Sequence, residues 1–386
     1  MHSEINTNAD YWLILRDMLG AIIKLLTHMV LKSNLLLKQN VYHIDTCIST
    51  DDANVVTQDC TLDSSSADTS YSNSISNSIT NSLSDTTQNY PNEINLLYTN
   101  CCGLKNKLCY PEFQELIQKH DILCFVETKT DDLDELKLPG YIFKMKNRKM
   151  ISRVKSGGIV LGYKNVLSEH IEVLNTDCKY IMWCKFSKLF NQEDDVILGI
   201  VYIPPEYTSY SSPDAFSEIE NEYIRLTTTF KNIFFVGDFN ARTSEENDYI
   251  FIDESDIGND LEGIHVNEVC SLDLYAIPRK RNNQDKCKNR YGNQLLDFCK
   301  GNNIFILNGR LESDRDGKFT CRRSSVVDYC LTNVYFLKFL VNLEVMEFSS
   351  LYSDVHSPLS IKLMCRFIPE KNAVNTSESK TVRIRK

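Results

Sequence analysis

The sequence predicts an α/β (α+β) protein in which packed β-sheets are covered by helices. Three observations predict this class. Between residues 93 and 367, nine strand-like runs occur with only three clear helical runs. Hydrophobic residues make up 42% of the chain, which is enough to bury a large core. The helical runs are too few to follow every strand, so the pattern favours packed sheets over one doubly wound parallel sheet.

The predicted strands are rich in β-branched and aromatic residues and end at turn-forming residues. They cover residues 94–100, 122–128, 158–164, 180–187, 196–204, 232–240, 303–309, 326–332 and 358–364. Apolar residues at helical spacing predict helices over 111–120, 214–230 and 293–302.

Composition divides the chain into four segments. Residues 1–60 form an N-terminal segment, in which the apolar stretch 11–38 carries one polar stripe at helical spacing. This stretch predicts an amphipathic helix that docks on a partner protein or, alternatively, lies on a membrane surface. Residues 61–92 are mostly Ser, Asn, Thr and Asp and are predicted to be a disordered linker. Residues 93–367 are the folded domain, and 368–386 are a polar tail predicted to be disordered.

The cysteines and the N-terminus indicate a compartment. The fourteen cysteines include no CxxC pair, which argues against a zinc ribbon and against a secreted disulfide framework. Reduced thiols indicate the nucleus or the cytoplasm. The acidic N-terminus does not resemble a secretory signal, and no transmembrane segment is predicted.

The charge pattern points in two directions. The net charge of −10 speaks against a nucleic-acid-binding protein. Three local clusters are nevertheless basic, and they flank the candidate site motifs. They are Lys144, Lys146, Arg148, Lys149, Arg153 and Lys155; Arg279, Lys280, Arg281, Lys286, Lys288 and Arg290; and Arg315, Lys318, Arg322 and Arg323. Each cluster is either a solvated face or a contact surface for a phosphate backbone.

Polar residues stand repeatedly at the ends of the predicted strands, where α/β sites form. They are Asn100, Glu127, Tyr202, Asp238 with Asn240, Asp328, and Asp354 with His356. Any one of them has an ordinary structural explanation as a turn-former, a cap or a core residue. Their repetition predicts one polar site at a common edge of the sheets.

The order of these residues resembles the endonuclease/exonuclease/phosphatase superfamily, the group of DNase I and the apurinic endonucleases. The most specific element is the GDFNA motif at 237–241. The longer stretches 237–243, 289–310 and 319–331 resemble the endonuclease of non-LTR retrotransposons in particular. The resemblance implies a DNase I-like four-layer sandwich, with two packed mixed sheets flanked by helices, and a metal-dependent phosphodiesterase.

The resemblance also implies roles for individual residues. Glu127, Asn100 and Asp354 would bind Mg²⁺ or Mn²⁺, because hard divalent cations prefer oxygen ligands. His356, oriented by Asp328, would activate water or hold the phosphate. Asp238 would handle the proton of the nucleophile or of the leaving group, and at this stage it is interchangeable with His356. The remaining residues would contact phosphate or substrate: Tyr202, Asn240, Arg242, Thr320, Arg322 and Arg323.

One departure from the family pattern concerns the last motif. The usual ending has Asp followed directly by His, whereas here Val355 stands between Asp354 and His356. Neighbouring residues of an extended segment face opposite sides, so one inserted residue displaces the aspartate. Either a bulge restores the reach of Asp354 to the metal, or its role is weakened.

The leading prediction is an endonuclease that nicks DNA to leave a 3′-hydroxyl, the end that primes reverse transcription in retrotransposons. No polymerase region follows within this sequence, so an isolated, truncated or domesticated open reading frame derived from such an element is expected. Two alternatives remain open. One is a phosphatase or lipid phosphodiesterase on the same fold. The other is a catalytically decayed domain that binds a partner.

Overall fold

The computed structural model describes residues 92–148, 155–190, 194–250 and 266–365. The predicted helix at 11–38 and the predicted tail at 368–386 lie outside these ranges. The predicted linker at 61–92 also lies outside them, except for its last residue, which begins the first strand. Within the described ranges, no helix is long and apolar enough to cross a membrane.

The described residues form two six-stranded mixed sheets. Sheet 1 has the order β11-β12-β1-β2-β4-β3, and sheet 2 has the order β5-β6-β7-β8-β10-β9. The strands of sheet 1 are β1 (Asn92–Asn100), β2 (Ile122–Val126), β3 (Tyr141–Lys146), β4 (Ile159–Lys164), β11 (Leu340–Val345) and β12 (Leu359–Cys365). The strands of sheet 2 are β5 (Ile171–Leu174), β6 (Ile181–Phe186), β7 (Val196–Tyr202), β8 (Asn232–Asp238), β9 (Ile304–Ile306) and β10 (Asp328–Asn333).

Helices flank both sheets. They are α1 (Leu104–Lys107), α2 (Pro111–Gln118), α3 (Ala215–Thr227), α4 (Val266–Leu274) and α5 (Arg290–Asn302). Short 3₁₀ helices cover Asn165–His170, Glu312–Asp314 and Val334–Phe339. The start of α5 is fixed by Asn289, whose side chain accepts a hydrogen bond from the Gly292 N–H as an N-cap.

Three apolar clusters hold four layers together. The central cluster lies between the sheets and includes Tyr98 and Val126 of sheet 1 and Ile200 and Val236 of sheet 2. A second cluster joins the outer face of sheet 2 to α3 and α5, and a third joins the outer face of sheet 1 to α1 and α2. The predicted sandwich of two packed mixed sheets flanked by helices is thus confirmed.

The sequence pattern did not predict three of the strands, namely β3, β5 and β11. All three are edge strands, so each pairs with one neighbour only. Their residues are largely half-buried or exposed, and each of the three strands contains at least one charged side chain. Edge strands are commonly marked by such charges, which weaken the apolar signal on which strand prediction depends.

The topology brings polar strand ends to one edge. Strands β1 and β2 are parallel, as are β7 and β8, so their carboxyl ends lie at the same edge of each sheet. Strand β12 runs antiparallel to β1, and β10 runs antiparallel to β8, so these two deliver their beginnings to that edge. Residues from the ends of four strands and the starts of two others therefore meet.

Candidate active site

The first residues of the site lie at the end of β1. Tyr98 and Asn100 are two positions apart, so both side chains point to the same face of the strand. The Asn100 amide Nδ2 donates a hydrogen bond of 2.9 Å to Oδ2 of Asp238 in the other sheet. The amide Oδ1 of Asn100 is buried and has no hydrogen-bond partner among the described residues. A buried amide oxygen without a protein partner has lone pairs available for a cation or a water.

Glu127 directly follows β2 in a left-handed conformation, with φ at 50°. This conformation costs about 1 kcal/mol for a residue other than glycine, and such costs concentrate at functional sites. The Tyr202 hydroxyl at the end of β7 donates a hydrogen bond to the Glu127 carboxylate. The Arg148 guanidinium lies 4.8 Å from the Tyr202 ring centroid and 4.9 Å from that of Tyr210. Tyr202 thus holds the Glu127 carboxylate in place, and Arg148 packs against the tyrosine ring.

The GDFNA motif ends β8 and supplies Asp238 and Asn240. Gly237 is required there, because a Cβ at this position would lie 2.4 Å from the Val201 carbonyl oxygen on β7. Oδ1 of Asp238 accepts a 2.9 Å hydrogen bond from the Asn240 N–H. Asn240 is left-handed, with φ at 48°, and its Nδ2 donates to the Ile203 carbonyl. The second N–H of that amide is available for a substrate oxygen.

Asp328 and His356 form a buried hydrogen-bonded pair. Nδ1 of His356 lies 2.8 Å from Oδ2 of Asp328, and the Tyr98 hydroxyl donates a 2.8 Å bond to the other oxygen of Asp328. The second ring nitrogen of His356, Nε2, lies 3.9 Å from Oδ2 of Asp238. The pair therefore presents one ring nitrogen toward Asp238 and keeps the other bound to a fixed carboxylate.

Sequence reasoning missed Tyr98. A tyrosine inside a buried strand is usually a core residue, and Tyr98 does pack in the central cluster. The signal that could have identified it is its position two residues before Asn100, on the same face of β1.

The electrostatics of the cluster follow from burial and from the two neighbouring carboxylates. Burial raises the pKa of Asp238, and the charge of Asp328 raises it further. Burial lowers the pKa of His356, but the charge and hydrogen bond of Asp328 outweigh this effect and raise the pKa of the imidazole. We therefore expect a protonated imidazole beside a carboxylate that is a stronger base than usual.

The inserted Val355 is absorbed by a turn. The Ser353 hydroxyl accepts hydrogen bonds from the N–H groups of Val355 and His356, at 3.4 and 3.1 Å. The Arg322 N–H in turn donates to the Val355 carbonyl, at 2.8 Å. Serine side chains commonly stabilise turns in this way. The turn lets His356 reach Asp328 despite the extra residue.

Asp354 is placed differently from the other site residues. Its side chain is 58% exposed and forms a 2.9 Å ion pair with Lys107 of α1. The pairing lowers the pKa of the Asp354 carboxyl. The nearby Lys129 Nζ lies 3.0 Å from Sγ of Cys102. Burial lowers the pKa of Lys129, but the bond to Cys102, together with the charges of Glu127 and Asp354, raises it overall. The metal-binding role of Asp354 stays a prediction, since its oxygen is engaged by a lysine here.

The four predicted substrate-binding residues fall into two groups. Thr320 is fully buried, and its hydroxyl accepts hydrogen bonds from the N–H groups of Val327 and Asp328, so it supports the start of β10. Arg242 forms a forked ion pair with Asp285. These two residues hold protein groups in the structure, and their contact with substrate stays a prediction.

Arg322 and Arg323 are exposed and left-handed at the tip of a hairpin closed by the Cys321–Ser325 bridge. Among the described residues they form no ion pair. The hairpin lies beside His356, because Cys321 is also bridged to that residue. Their contact with a phosphate backbone stays a prediction.

Several side chains of the predicted basic clusters are engaged inside the protein, while Lys149 and Arg153 lie outside the described residues. Lys146 donates to two backbone carbonyls, and Lys155 binds the carboxylates of Asp131 and Asp134. Arg281 is buried and donates to the Thr243 hydroxyl and to carbonyls of its loop. Contacts within the fold, some to carboxylates and some to neutral oxygens, thus engage part of the basic character that the sequence displays.

The donor set fits a divalent cation. Within the described part of the chain, ligand atoms of Asp238, Asp328 and His356 all lie within 4.8 Å of one another. The unpaired Oδ1 of Asn100 and the half-buried carboxylate of Glu127 add oxygen donors at the same sheet edge. Oxygen-rich donors suit Mg²⁺ or Mn²⁺.

A separate surface depression of about 690 Å³ shares no residue with this cluster. It is lined by Glu245, Glu246, Asn247, Tyr249, Ile250, Lys280 and Lys300. Both of its acidic residues form ion pairs: Glu245 with Lys286, and Glu246 with Lys288. It contains no histidine or aspartate, so we place the site at the sheet edge.

No family model matches the chain, and no curated protein matches it by sequence. The AP endonuclease LMAP from Leishmania major is similar in structure, with a TM-score of 0.50 at 14% identity over 70% of this chain and 88% of that one. The APE2 catalytic domain of Xenopus laevis has a TM-score of 0.49 at 14% identity, over 70% of this chain and 92% of that one. The endonuclease domain of TRAS1, a telomere-specific non-LTR retrotransposon, has a TM-score of 0.45 at 14% identity, over 72% of this chain and 100% of that one. The likeness to the Leishmania structure shows that the chain has the DNase I-like fold.

Proposed function

We propose that the protein is a metal-dependent phosphodiesterase, specifically a DNA endonuclease derived from a non-LTR retrotransposon, which nicks one strand and leaves a 3′-hydroxyl. The observation that carries the proposal is the buried cluster of Asp238, Asp328 and His356 at the edge where the strands converge. Phosphodiester hydrolysis needs a general base, here the Asp238 carboxylate, and a positive charge near the phosphate, here the His356 imidazolium. The Asp328 carboxylate orients that imidazolium.

Each residue of the cluster has a task in the hydrolysis. Asp238 takes a proton from the attacking water, because burial has raised the pKa of its carboxyl and made it a stronger base. The His356 imidazolium points Nε2 toward the phosphate and offsets the negative charge that builds on its oxygens. Asp328 and Tyr98 fix the ring of His356 in that orientation.

Glu127 and Asn100 would hold Mg²⁺ or Mn²⁺, with the cluster residues nearby. The bound cation would neutralise charge on the phosphate and on the leaving oxygen. Tyr202 orients the Glu127 carboxylate, and Asn240 offers its remaining amide N–H to a phosphate oxygen.

The exposed Arg322 and Arg323 favour DNA over a small phosphoester. They extend the positive surface beyond the reacting phosphate, at the tip of the hairpin that carries Cys321 opposite His356. Paired arginines commonly contact neighbouring phosphates of a nucleic-acid backbone.

The test is nicking of supercoiled plasmid with Mg²⁺ by the full chain. Wild type should nick, and His356→Ala and Glu127→Ala should lose about 10²-fold or more of the rate. His170→Ala is the matched control, because His170 follows β4 at the opposite edge of sheet 1 and should leave the rate unchanged. A polymerase should extend the nick without phosphatase treatment if the end is a 3′-hydroxyl.

Equal nicking by all four proteins would contradict the proposal, since it would indicate a contaminating nuclease. Release of phosphate from inositol phosphates, without plasmid nicking, would favour the phosphatase alternative instead.

A further inference from the structure

We propose that Cys321, His356 and Asp238 form a binding site for Zn²⁺, and that zinc bound there blocks the active site. The binding itself is independent of the proposed function, whereas the inhibition rests on it. The observation behind the proposal is a thiol facing the active-site histidine: Sγ of Cys321 lies 3.7 Å from Nε2 of His356.

The backbone fixes this thiol in place. Cys321 and His356 are paired across a short antiparallel bridge. The flanking bonds run from the Arg322 N–H to the Val355 carbonyl and from the Ser357 N–H to the Thr320 carbonyl, both at 2.8 Å. Cys321 and His356 are therefore a non-hydrogen-bonded pair, the kind in which facing side chains come closest.

Two of the three donor pairs approach the spacing of a tetrahedral ion. Cys321 lies outside the group of Asp238, Asp328 and His356, whose ligand atoms are all within 4.8 Å of one another, so its thiol would have to move toward Asp238. With metal–sulfur and metal–nitrogen distances of about 2.3 and 2.1 Å, neighbouring ligand atoms of tetrahedral zinc lie about 3.4–3.6 Å apart. The Cys321 sulfur is 3.7 Å from the imidazole Nε2, which is 3.9 Å from Oδ2 of Asp238. Shifts of a few tenths of an ångström would bring both pairs to that spacing.

The surroundings orient these ligands as a zinc site requires. Asp328 binds Nδ1 of His356, which leaves Nε2 for the metal, and a carboxylate on the far nitrogen is a common partner of zinc-bound histidine. Asn100 and the Asn240 N–H each donate to one oxygen of Asp238 and hold that carboxylate. Cys321 is partly exposed, so an ion can reach the thiol from solvent.

The chemistry of the donors separates zinc from magnesium. A thiolate and an imidazole select Zn²⁺ strongly, whereas Mg²⁺ takes oxygen ligands. Zinc binding would displace the proton of the Cys321 thiol and that of the His356 Nε2. The zinc ion would then bind the Asp238 carboxylate and the His356 imidazole, the two groups that we assign to catalysis.

Zinc binding to metal-free full-length protein tests the site directly. We would measure affinity by competition with a chromogenic chelator, and use Co²⁺ as a probe, because a thiolate ligand gives cobalt a charge-transfer absorption band. Wild type should show the band, and Cys321→Ser and Cys321→Ala should lose it and bind Zn²⁺ about 100-fold more weakly. Cys287→Ser is the matched control, since Cys287 is an exposed thiol on another loop, and it should behave as wild type.

Equal affinity for zinc in wild type and both Cys321 variants would overturn the proposal. Plasmid nicking with Mg²⁺, measured with and without added zinc, distinguishes failure of the zinc-site proposal from failure of the endonuclease proposal. Zinc should inhibit wild type and Cys287→Ser, while Cys321→Ser should keep, in the presence of zinc, the nicking rate that it shows without zinc. Inhibition of Cys321→Ser at the same zinc concentration as wild type would overturn the inference and leave the endonuclease proposal intact. A cobalt band that depends on Cys321, in a protein that does not nick, would support the metal site and contradict the endonuclease.

Discussion

The two halves of the candidate site hold their charged groups in different ways. In the histidine half, the side chains of Asp238, Asp328 and His356 are at most 9% exposed, and each is held by protein hydrogen bonds. In the carboxylate half, Glu127 is half-buried and the side chain of Asp354 is 58% exposed and paired with a lysine. The histidine half is thus organised by the fold before any ligand arrives. The carboxylate half presents charges that a bound cation would complete.

The largest effect should come from breaking the histidine half. Asp328→Asn removes the anion that holds the His356 imidazolium, so we expect kcat for nicking to fall about 10³-fold at every Mg²⁺ concentration. Glu127→Gln should instead raise the Mg²⁺ concentration needed for half-maximal rate about tenfold or more, with much of the rate recovered at saturation. Magnesium titrations of both variants check this. Identical magnesium dependence in the two variants would remove the distinction between the halves.

A smaller effect should follow from loosening the support of the same half. Tyr98→Phe removes the hydroxyl bound to Asp328, so we expect about a tenfold lower kcat and about 1.5 kcal/mol less free energy of unfolding. Nicking rates measure the change in kcat, and denaturant unfolding measures the change in the free energy of unfolding. Tyr163→Phe is the control, because this buried tyrosine lies at the opposite end of sheet 1, where β4 pairs with the start of β2. A normal rate in Tyr98→Phe would show that His356 needs no such support.

The smallest effect is expected at Asp354. An exposed carboxylate that pairs with Lys107 contributes little, so Asp354→Asn should change the nicking rate less than about threefold and the stability by less than about 1 kcal/mol. Nicking rates at several Mg²⁺ concentrations check this. A magnesium requirement raised as far as in Glu127→Gln would instead assign Asp354 to the cation.

The sequence predicted which polar residues lie together at the strand ends, but it did not predict their hydrogen-bond and ion-pair partners. Polar residues at strand ends were recognisable because strands of known direction bring those ends to one edge, as Asn100 and Asp238 illustrate. Contacts between distant residues, such as that of Lys107 with Asp354, depend on three-dimensional packing and leave no local pattern. The role of the basic clusters depends on the same kind of contact, since the sequence displays the charge of Lys146 but not the carbonyls that it binds.

The strand ends that converge at the site have a consequence for how the chain folds. The hydrogen bond between Tyr98 and Asp328 joins residues 230 positions apart, and that between Asn100 and Asp238 spans 138. Contacts of such long range make folding slow, because large loops must close before they form. Among the described strands, β12 comes last in sequence; it lies between β1 and β11 and begins three residues after His356. Pairing of β12 with β1 and β11 therefore also brings His356 beside Asp328, so completion of sheet 1 and assembly of the histidine pair are coupled.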